Sequence, residues 1–308
     1  MKTEEYLDFC TAELAPVFRR FEAVERVVFR RVQEAFRRER VQQSDFMGST
    51  GYGYGDVGRD KLGRVFARAF ECEDALVRPQ IMSGTHAIST ALFGLLRHGD
   101  TMLCVSGEPY DTLKSAISAF PQFGIHYEQT ELIHSGLDYE SIKNRLAAGD
   151  VKMVYAQRSR GYASRRSLLP DELGRLAQLA HGIDKNIIVM VDNCYGEFVL
   201  EHEPTYYGAD VIAGSLIKNA GGGLAPTGGY IAGKREYVET AAERLTVPGI
   251  GREIGSYEAG LRLFYQGLFI APHTVCEALK NAALIALALY GKGYRVSPAA
   301  DEARTCIV

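Results

Sequence analysis

Apolar side chains at Phe18, Phe21, Val24, Val28, Val32 and Phe36 recur at three- and four-residue steps, with Arg and Glu between them. That spacing lines one face of a helix and predicts helix through residues 1–46. From about residue 57 the pattern alternates. Helical periodicity over 60–71, 85–100, 138–149 and 170–183, with a further helix near 110–119, separates short apolar runs at 75–82, 101–107, 124–132, 151–157, 186–193, 209–215 and 228–233. The run NIIVMVDN at 186–193 is apolar almost throughout, as a strand buried on both faces should be. Pro170 opens one helical segment and Gly182 lies near its end. Seven strands interleaved with helices predict an α/β fold with a mostly parallel, doubly wound sheet covered on both faces. After residue 233 the pattern turns helical, with a long segment from about Ser256 to Tyr290. RTCIV at 304–308 reads as the beginning of a strand.

The chain has 308 residues, more than one compact core usually holds. We divide it into an N-terminal helical arm (1–46), a large domain (47–255), and a long helix leading into a second, small domain (256–308). A net charge of −3 argues against a nucleic-acid binder driven by bulk charge. Eight arginines between Arg19 and Arg40 are offset by Glu22, Glu25, Glu34 and Glu39, which favours a solvated helix face or one docked on a partner subunit. The apolar run Ala282–Tyr290 is too short to cross a bilayer, and the N-terminus carries no secretory pattern. The six cysteines form no CxxC pair and read as free thiols in a reduced, cytoplasmic setting. The seven histidines show no HExxH-type pairing for a metal, and no glycine pattern matches a dinucleotide or P-loop site.

Four short stretches carry candidate chemistry, all at strand ends. SGTHA (Ser83–Ala87) stands where a strand gives way to a helix. Its N–H groups and hydroxyls suit a phosphate, and equally a plain helix cap. Asp192 ends a buried strand, where open α/β sheets bind ligands. There it either pairs with a protonated ring nitrogen or caps the next turn. Lys218 is the lone cation in the apolar, glycine-rich stretch 208–233, with Ser215 three residues before it. An apolar pocket would lower its pKa and make it a nucleophile toward aldehydes, with small glycines letting a flat ligand approach. The alternative is a snorkelling surface lysine. Tyr110, in GEPYDTL, either stacks on a planar ring or is simply half-buried. Together and in this order they meet the needs of a fold-type I enzyme that uses pyridoxal 5′-phosphate (PLP).

The stretches 49–100, QRSRGYASRRSL (157–168), VDNCYGEF (191–198), SLIKNAGGGLAPTGGYIAG (215–233) and GLFIAPH (267–273) also resemble a known family. It is the methionine γ-lyase-like, aluminium-resistance branch of the Cys/Met-metabolism enzymes, with the aspartate aminotransferase-like fold. The resemblance covers roughly residues 5–308. It implies a PLP-dependent carbon–sulfur lyase acting on an amino acid such as methionine, cystathionine or cysteine. It also implies a homodimer or homotetramer with shared active sites. By resemblance, Ser83, Gly84, Thr85 and Ser215 hold the phosphate, Tyr110 stacks on the ring and Asp192 pairs with its nitrogen. Lys218 takes the aldehyde and moves protons, and Tyr110 protonates the leaving sulfur. Tyr52 or Tyr54, in TGYGYGD, reaches a partner's phosphate site, with Arg59 a substitute for a missing arginine. Gln157 and Arg160 occupy positions that contact the ring hydroxyl and the substrate. The family's small C-terminal domain, with an arginine for the substrate carboxylate, is expected to follow where the sequence stops at Val308. A chain without it would be either a fragment or a non-catalytic scaffold that keeps the fold.

Overall fold

The computed structural model describes residues 2–134, 136–161, 163 and 165–307. Helices α1 (Thr3–Glu13) and α2 (Ala15–Arg38) lead through a 3-10 turn at Gln43–Phe46 to α3 (Val57–Ala69). The expected single helix over 1–46 is divided at Leu14, because Pro16 has no N–H to donate and belongs in the first turn of a new helix. The chain then alternates through β1 (Asp74–Arg78), α4 (Gly84–Leu95), β2 (Thr101–Cys104), α5 (Asp111–Ile117) and β3 (His126–Gln129). A small hairpin, β4 (Leu132–Ile133) with β5 (Gly136–Leu137), is followed by α6 (Tyr139–Ala147), β6 (Val151–Gln157), α7 (Pro170–Ile183) and β7 (Ile188–Asp192). The remaining elements are β8 (Val211–Ser215), β9 (Gly229–Gly233), α8 (Arg235–Leu245) and α9 (Arg262–Tyr290).

The main sheet has seven strands in the order β1-β9-β8-β7-β6-β2-β3. Only β9 runs against its neighbours; the pairs β8–β7, β7–β6, β6–β2 and β2–β3 are parallel. The sheet is therefore the mostly parallel, helix-flanked α/β architecture that the alternation predicted. Strand period sorts the core into two layers. Val77, Val189, Val191 and Ile212 face the layer holding α2, α3, α7 and α9, while Leu76, Met190, Val211 and Ala213 face α4, α5 and α8. Residues adjacent in sequence thus bury on opposite faces, which is why β7 reads as uninterrupted apolar.

Several edges differ from the sequence reading: β2 stops at Cys104 rather than residue 107, the run 124–132 divides into β3 and β4, and the long helix starts at Arg262. β1 stops at Arg78 rather than running to residue 82, because Pro79 cannot supply a ladder N–H. RTCIV does not form a strand among its described residues 304–307; Arg304, Thr305 and Cys306 are buried, and the Ile307 N–H donates to the Tyr195 carbonyl at 3.1 Å. Among the described residues, no helix is long and apolar enough to cross a membrane.

Candidate active site at the strand ends

The parallel pairing brings the C-terminal ends of β6, β7 and β8 side by side: Gln157 registers with Asp192, and Asp192 with Ala213, two residues before Ser215. This is the crevice where open α/β sheets place ligands. Asp192 is 2% exposed. Its Oδ1 accepts the Cys194 N–H at 3.0 Å and its Oδ2 accepts the Tyr155 hydroxyl at 3.4 Å. Burial raises its pKa against the opposing pull of the Cys194 N–H and the Lys218 charge. Among the described residues no cation pairs with it directly, and the Lys218 charge offsets its desolvation only in part.

Helix α4 starts against the same strand ends. Ser83 caps it, its Oγ accepting the His86 N–H at 3.0 Å. A Cβ on Gly84 would lie 2.8 Å from Cys194 Sγ and 3.3 Å from Ser215 Cβ, so only glycine lets the helix N-terminus approach β7 and β8 this closely. Ser215 is buried, and its Oγ has no hydrogen-bond partner among the described residues. An unpaired hydroxyl beside a helix N-terminus costs stability in the empty site and suits an anion.

Lys218 is half-buried, and its Nζ stands 3.9 Å from the centroid of the Tyr195 ring. The sequence reading of a lowered pKa is overturned. Burial does disfavour the ammonium, but Cys194, Tyr195, Asp192 and Glu197 surround it, and together they raise its pKa. Two of the glycines after it serve packing. A Cβ on Gly221 would strike the Leu216 carbonyl, and one on Gly222 the Gly267 carbonyl. They allow the turn at 219–221 to close and to pack against α9, while a Cβ on Gly223 would meet open space.

Tyr110 opens α5, half-buried. Its hydroxyl lies 3.2 Å from Thr85 Oγ1, and its N–H donates to Gln157 Oε1 at 3.3 Å. Burial, then the charge of Asp192, raises its pKa, so it holds its proton at neutral pH. Tyr110, Gln157 and Arg160 line a cleft of about 530 Å³. Arg160 stands at its rim, donating to the Ser297 carbonyl at 2.9 Å and to Ser297 Oγ at 3.2 Å.

Ser83, Gly84, Thr85, Tyr110, Gln157, Asp192, Ser215 and Lys218 therefore form one linked cluster. Tyr52 and Tyr54 do not join it. They are 74% and 63% exposed, their rings 5.9 Å apart, on a loop where Gly51, Gly53 and Gly55 take positive φ. Arg59 is no free charge for a phosphate, because it is buried beneath this loop. Its guanidinium donates to the Gly53 carbonyl at 2.9 Å and the Glu253 carbonyl at 3.2 Å, and meets Asp60 at 3.0 Å.

Sequence reasoning missed Tyr155, Tyr195 and Glu197. Tyr195 sits at φ +68°, rare for an aromatic residue and a mark of a conformation imposed by its surroundings. Glu197 is fully buried; its Oε1 accepts the Tyr230 hydroxyl at 2.8 Å, and burial pushes its pKa up to about 8. For Tyr195 and Glu197 the signal available was DNCYGEF itself, a run that directly follows a buried strand; Tyr155, inside β6, had none.

The methionine gamma-lyase family profile matches residues 3–308 of the chain. The chain belongs to the methionine gamma-lyase family. A relative, the uncharacterized protein YnbB of Bacillus subtilis, is 44% identical over 306 residues, covering 96% of this chain and 72% of its own length. The structure of a carbon–sulfur lyase involved in aluminium resistance from Clostridium novyi superposes with TM-score 0.95 at 45% identity, covering 98% of this chain and 74% of that one. A Listeria monocytogenes protein held to be a cystathionine beta-lyase involved in aluminium resistance gives TM-score 0.96 at 43% identity, with 99% and 77% covered. More distantly, the pyridoxal-5′-phosphate dependent protein YhfS of Escherichia coli shares the fold at 18% identity and TM-score 0.67, covering 89% of this chain and 71% of its own.

Proposed function

We propose that this chain is a PLP-dependent carbon–sulfur lyase acting on a sulfur-containing amino acid. The single observation that carries the reading is the pairing of two incomplete groups at adjacent strand ends: a buried Asp192 that no cation contacts directly among the described residues, Lys218 acting on it only through its charge, and a buried Ser215 Oγ without a partner among them. A ligand with a protonated ring nitrogen and a phosphate would complete both. The residues present fit PLP on that ground. Ser83, Gly84, Thr85 and Ser215 would hold the phosphate, Asp192 the ring nitrogen, Tyr110 one ring face and Gln157 a polar edge. Lys218 would be the amine that takes the aldehyde. When bound, PLP supplies an electron sink for charge developing at the substrate α-carbon. Membership of the methionine gamma-lyase family and similarity to a carbon–sulfur lyase support the reaction class.

The chain's own groups supply the proton transfers. Lys218, once deprotonated, accepts the α-proton. Tyr110, kept protonated by burial and by Asp192, gives its proton to the sulfur as the carbon–sulfur bond breaks. With one water the balance is amino acid to thiol, 2-oxo acid and ammonia. Arg160 at the rim contacts the substrate, and Tyr52 or Tyr54 completes the site of a second copy of this chain.

Adding PLP to the purified protein should produce a visible absorption band in wild type that is absent from Lys218→Ala. No band, or a band that survives the substitution, would overturn the cofactor and the role of Lys218. Assays of thiol, 2-oxo acid and ammonia from methionine, cystathionine and cysteine then identify the substrate. Aminotransfer or racemisation without thiol release would replace the lyase reading by other PLP chemistry.

A further inference from the structure

Beside the cleft at Tyr110 lies a second cavity of about 240 Å³, between the loop after β6 and residues 297–306. It is smaller than the cavities that take whole organic ligands. Its charged lining is Arg160, Arg165, Arg166 and Arg304 against the single carboxylate of Glu302. Arg166 is paired with Glu172, its NH1 lying 2.7 Å from Oε2, and Glu302 Oε2 is engaged by the Ala299 N–H at 2.9 Å. The other three arginines donate only to neutral oxygens, and the Glu302 charge acts on Arg304 without a direct pair. Arg160 donates to Ser297, and Arg165 to the carbonyls of Ser106 at 2.7 Å and Ser159 at 2.9 Å. Arg304 is 6% exposed; its NH2 donates to the Ala299 carbonyl at 3.3 Å, and its Nε is buried with no partner. A desolvated guanidinium with an unused donor, in a cavity with excess positive charge, calls for an oxyanion.

We propose that this cavity is a binding site for one small oxyanion, a carboxylate, sulfate or phosphate group, held by Arg304 with Arg160 and Arg165 beside it. Arg160 and Arg165 also line the Tyr110 cleft, so the anion is either free in solution or the acidic end of a molecule lying in that cleft. The second source rests on the lyase reading; the first does not.

Isothermal titration with malonate and with sulfate, at constant ionic strength set by chloride, tests the site on PLP-saturated protein and on protein without added PLP. Wild type should bind one anion saturably with PLP bound, and the same site should persist without PLP, where the α4 N-terminus adds a second. Arg304→Gln should weaken binding about tenfold or more, and Glu302→Gln should tighten it by removing the one repulsive charge. The second variant decides the matter if the first fails to fold. Absence of saturable binding, or affinities unchanged in both variants, would overturn the proposal. So would binding abolished by PLP, which would assign the anion to the α4 N-terminus instead. Competitive inhibition of turnover by malonate would identify the substrate-end source, and binding without inhibition the free anion. Calorimetry reads the site even if the chain turns over no amino acid, so the two hypotheses fail separately.

Discussion

Replacing Glu197 by Gln should change how stability depends on pH, by an amount the structure sets. Glu197 is wholly buried, one oxygen bound by Tyr230 and the other without a partner, and its pKa is raised from 4.5 to about 8. Burial is the main cause, with the charge of Glu203 adding to it and the Tyr230 hydroxyl and Lys218 opposing it. Because the folded value lies above the unfolded one, the unfolded chain releases this proton first. The contribution to stability is complete below about pH 4.5 and declines by about 1.4 kcal/mol per pH unit until about pH 8, where it levels. The total is about 5 kcal/mol, a large share of a typical folding free energy. Glutamine has the same shape, never ionises, and presents an N–H where protonated Glu197 presents an O–H. The unsatisfied donor is therefore common to both proteins. Urea unfolding of the PLP-free proteins at unit steps from pH 5 to pH 9 would give a difference curve in which every other titrating group cancels. We expect E197Q to gain on wild type steadily to about pH 8 and then hold its advantage. Parallel curves, with a difference constant to about 0.5 kcal/mol, would refute the claim that Glu197 is buried and neutral.

Three further outcomes follow from the same geometry. Ser215→Ala should leave the PLP-free protein within about 1 kcal/mol of wild type, since Oγ has no partner to lose, yet weaken PLP retention by about tenfold or more; equilibrium dialysis checks the second effect and urea unfolding the first. Gly84→Ala should cost about 1–3 kcal/mol, because its Cβ would stand 2.8 Å from Cys194 Sγ, and Cys194→Ala in the same chain should recover part of that loss in a double-mutant cycle. Arg59→Ala should free the carbonyls of Gly53 and Glu253, and limited proteolysis should then cut the Tyr52–Tyr54 loop faster than in wild type, with the sheet core still protected.

The fold was legible because its signals are periodic. The change from helical steps to short apolar runs gave all seven strands of the main sheet, and β7 declared itself by having no polar face. What failed was local. Pro16 and Pro79 each removed a backbone donor and moved a boundary, and both residues were visible in the sequence. RTCIV looks like strand because β-branched and apolar residues suit any buried segment. Only tertiary packing shows that residues 304–306 bury without a ladder. In the candidate site, the residues read at strand ends came together because parallel pairing aligns strand ends automatically. Tyr155 and Glu197 escaped because their role depends on which face of the sheet or turn they occupy, which no short stretch states.

The misjudged charge of Lys218 shows why a site cannot be read from one segment. Its own neighbours in sequence are apolar, and on that evidence burial should depress its pKa. The groups that reverse the direction, Asp192 at the end of β7 and Cys194, Tyr195 and Glu197 just after it, are brought to the lysine by the pairing of β7 with β8. The same Asp192 charge also raises Tyr110, so one desolvated carboxylate biases both candidate proton carriers toward their protonated forms. A protonated tyrosine is ready to act as an acid, whereas a protonated lysine must first lose a proton before it can act as a base. A cationic ligand group placed against Asp192 would offset that carboxylate, weaken its hold on the Lys218 ammonium and lower the lysine pKa. The arrangement thus makes the lysine's readiness depend on what Asp192 is paired with. The chemistry of Lys218 is set by the completed site, not by the glycine-rich stretch that carries it.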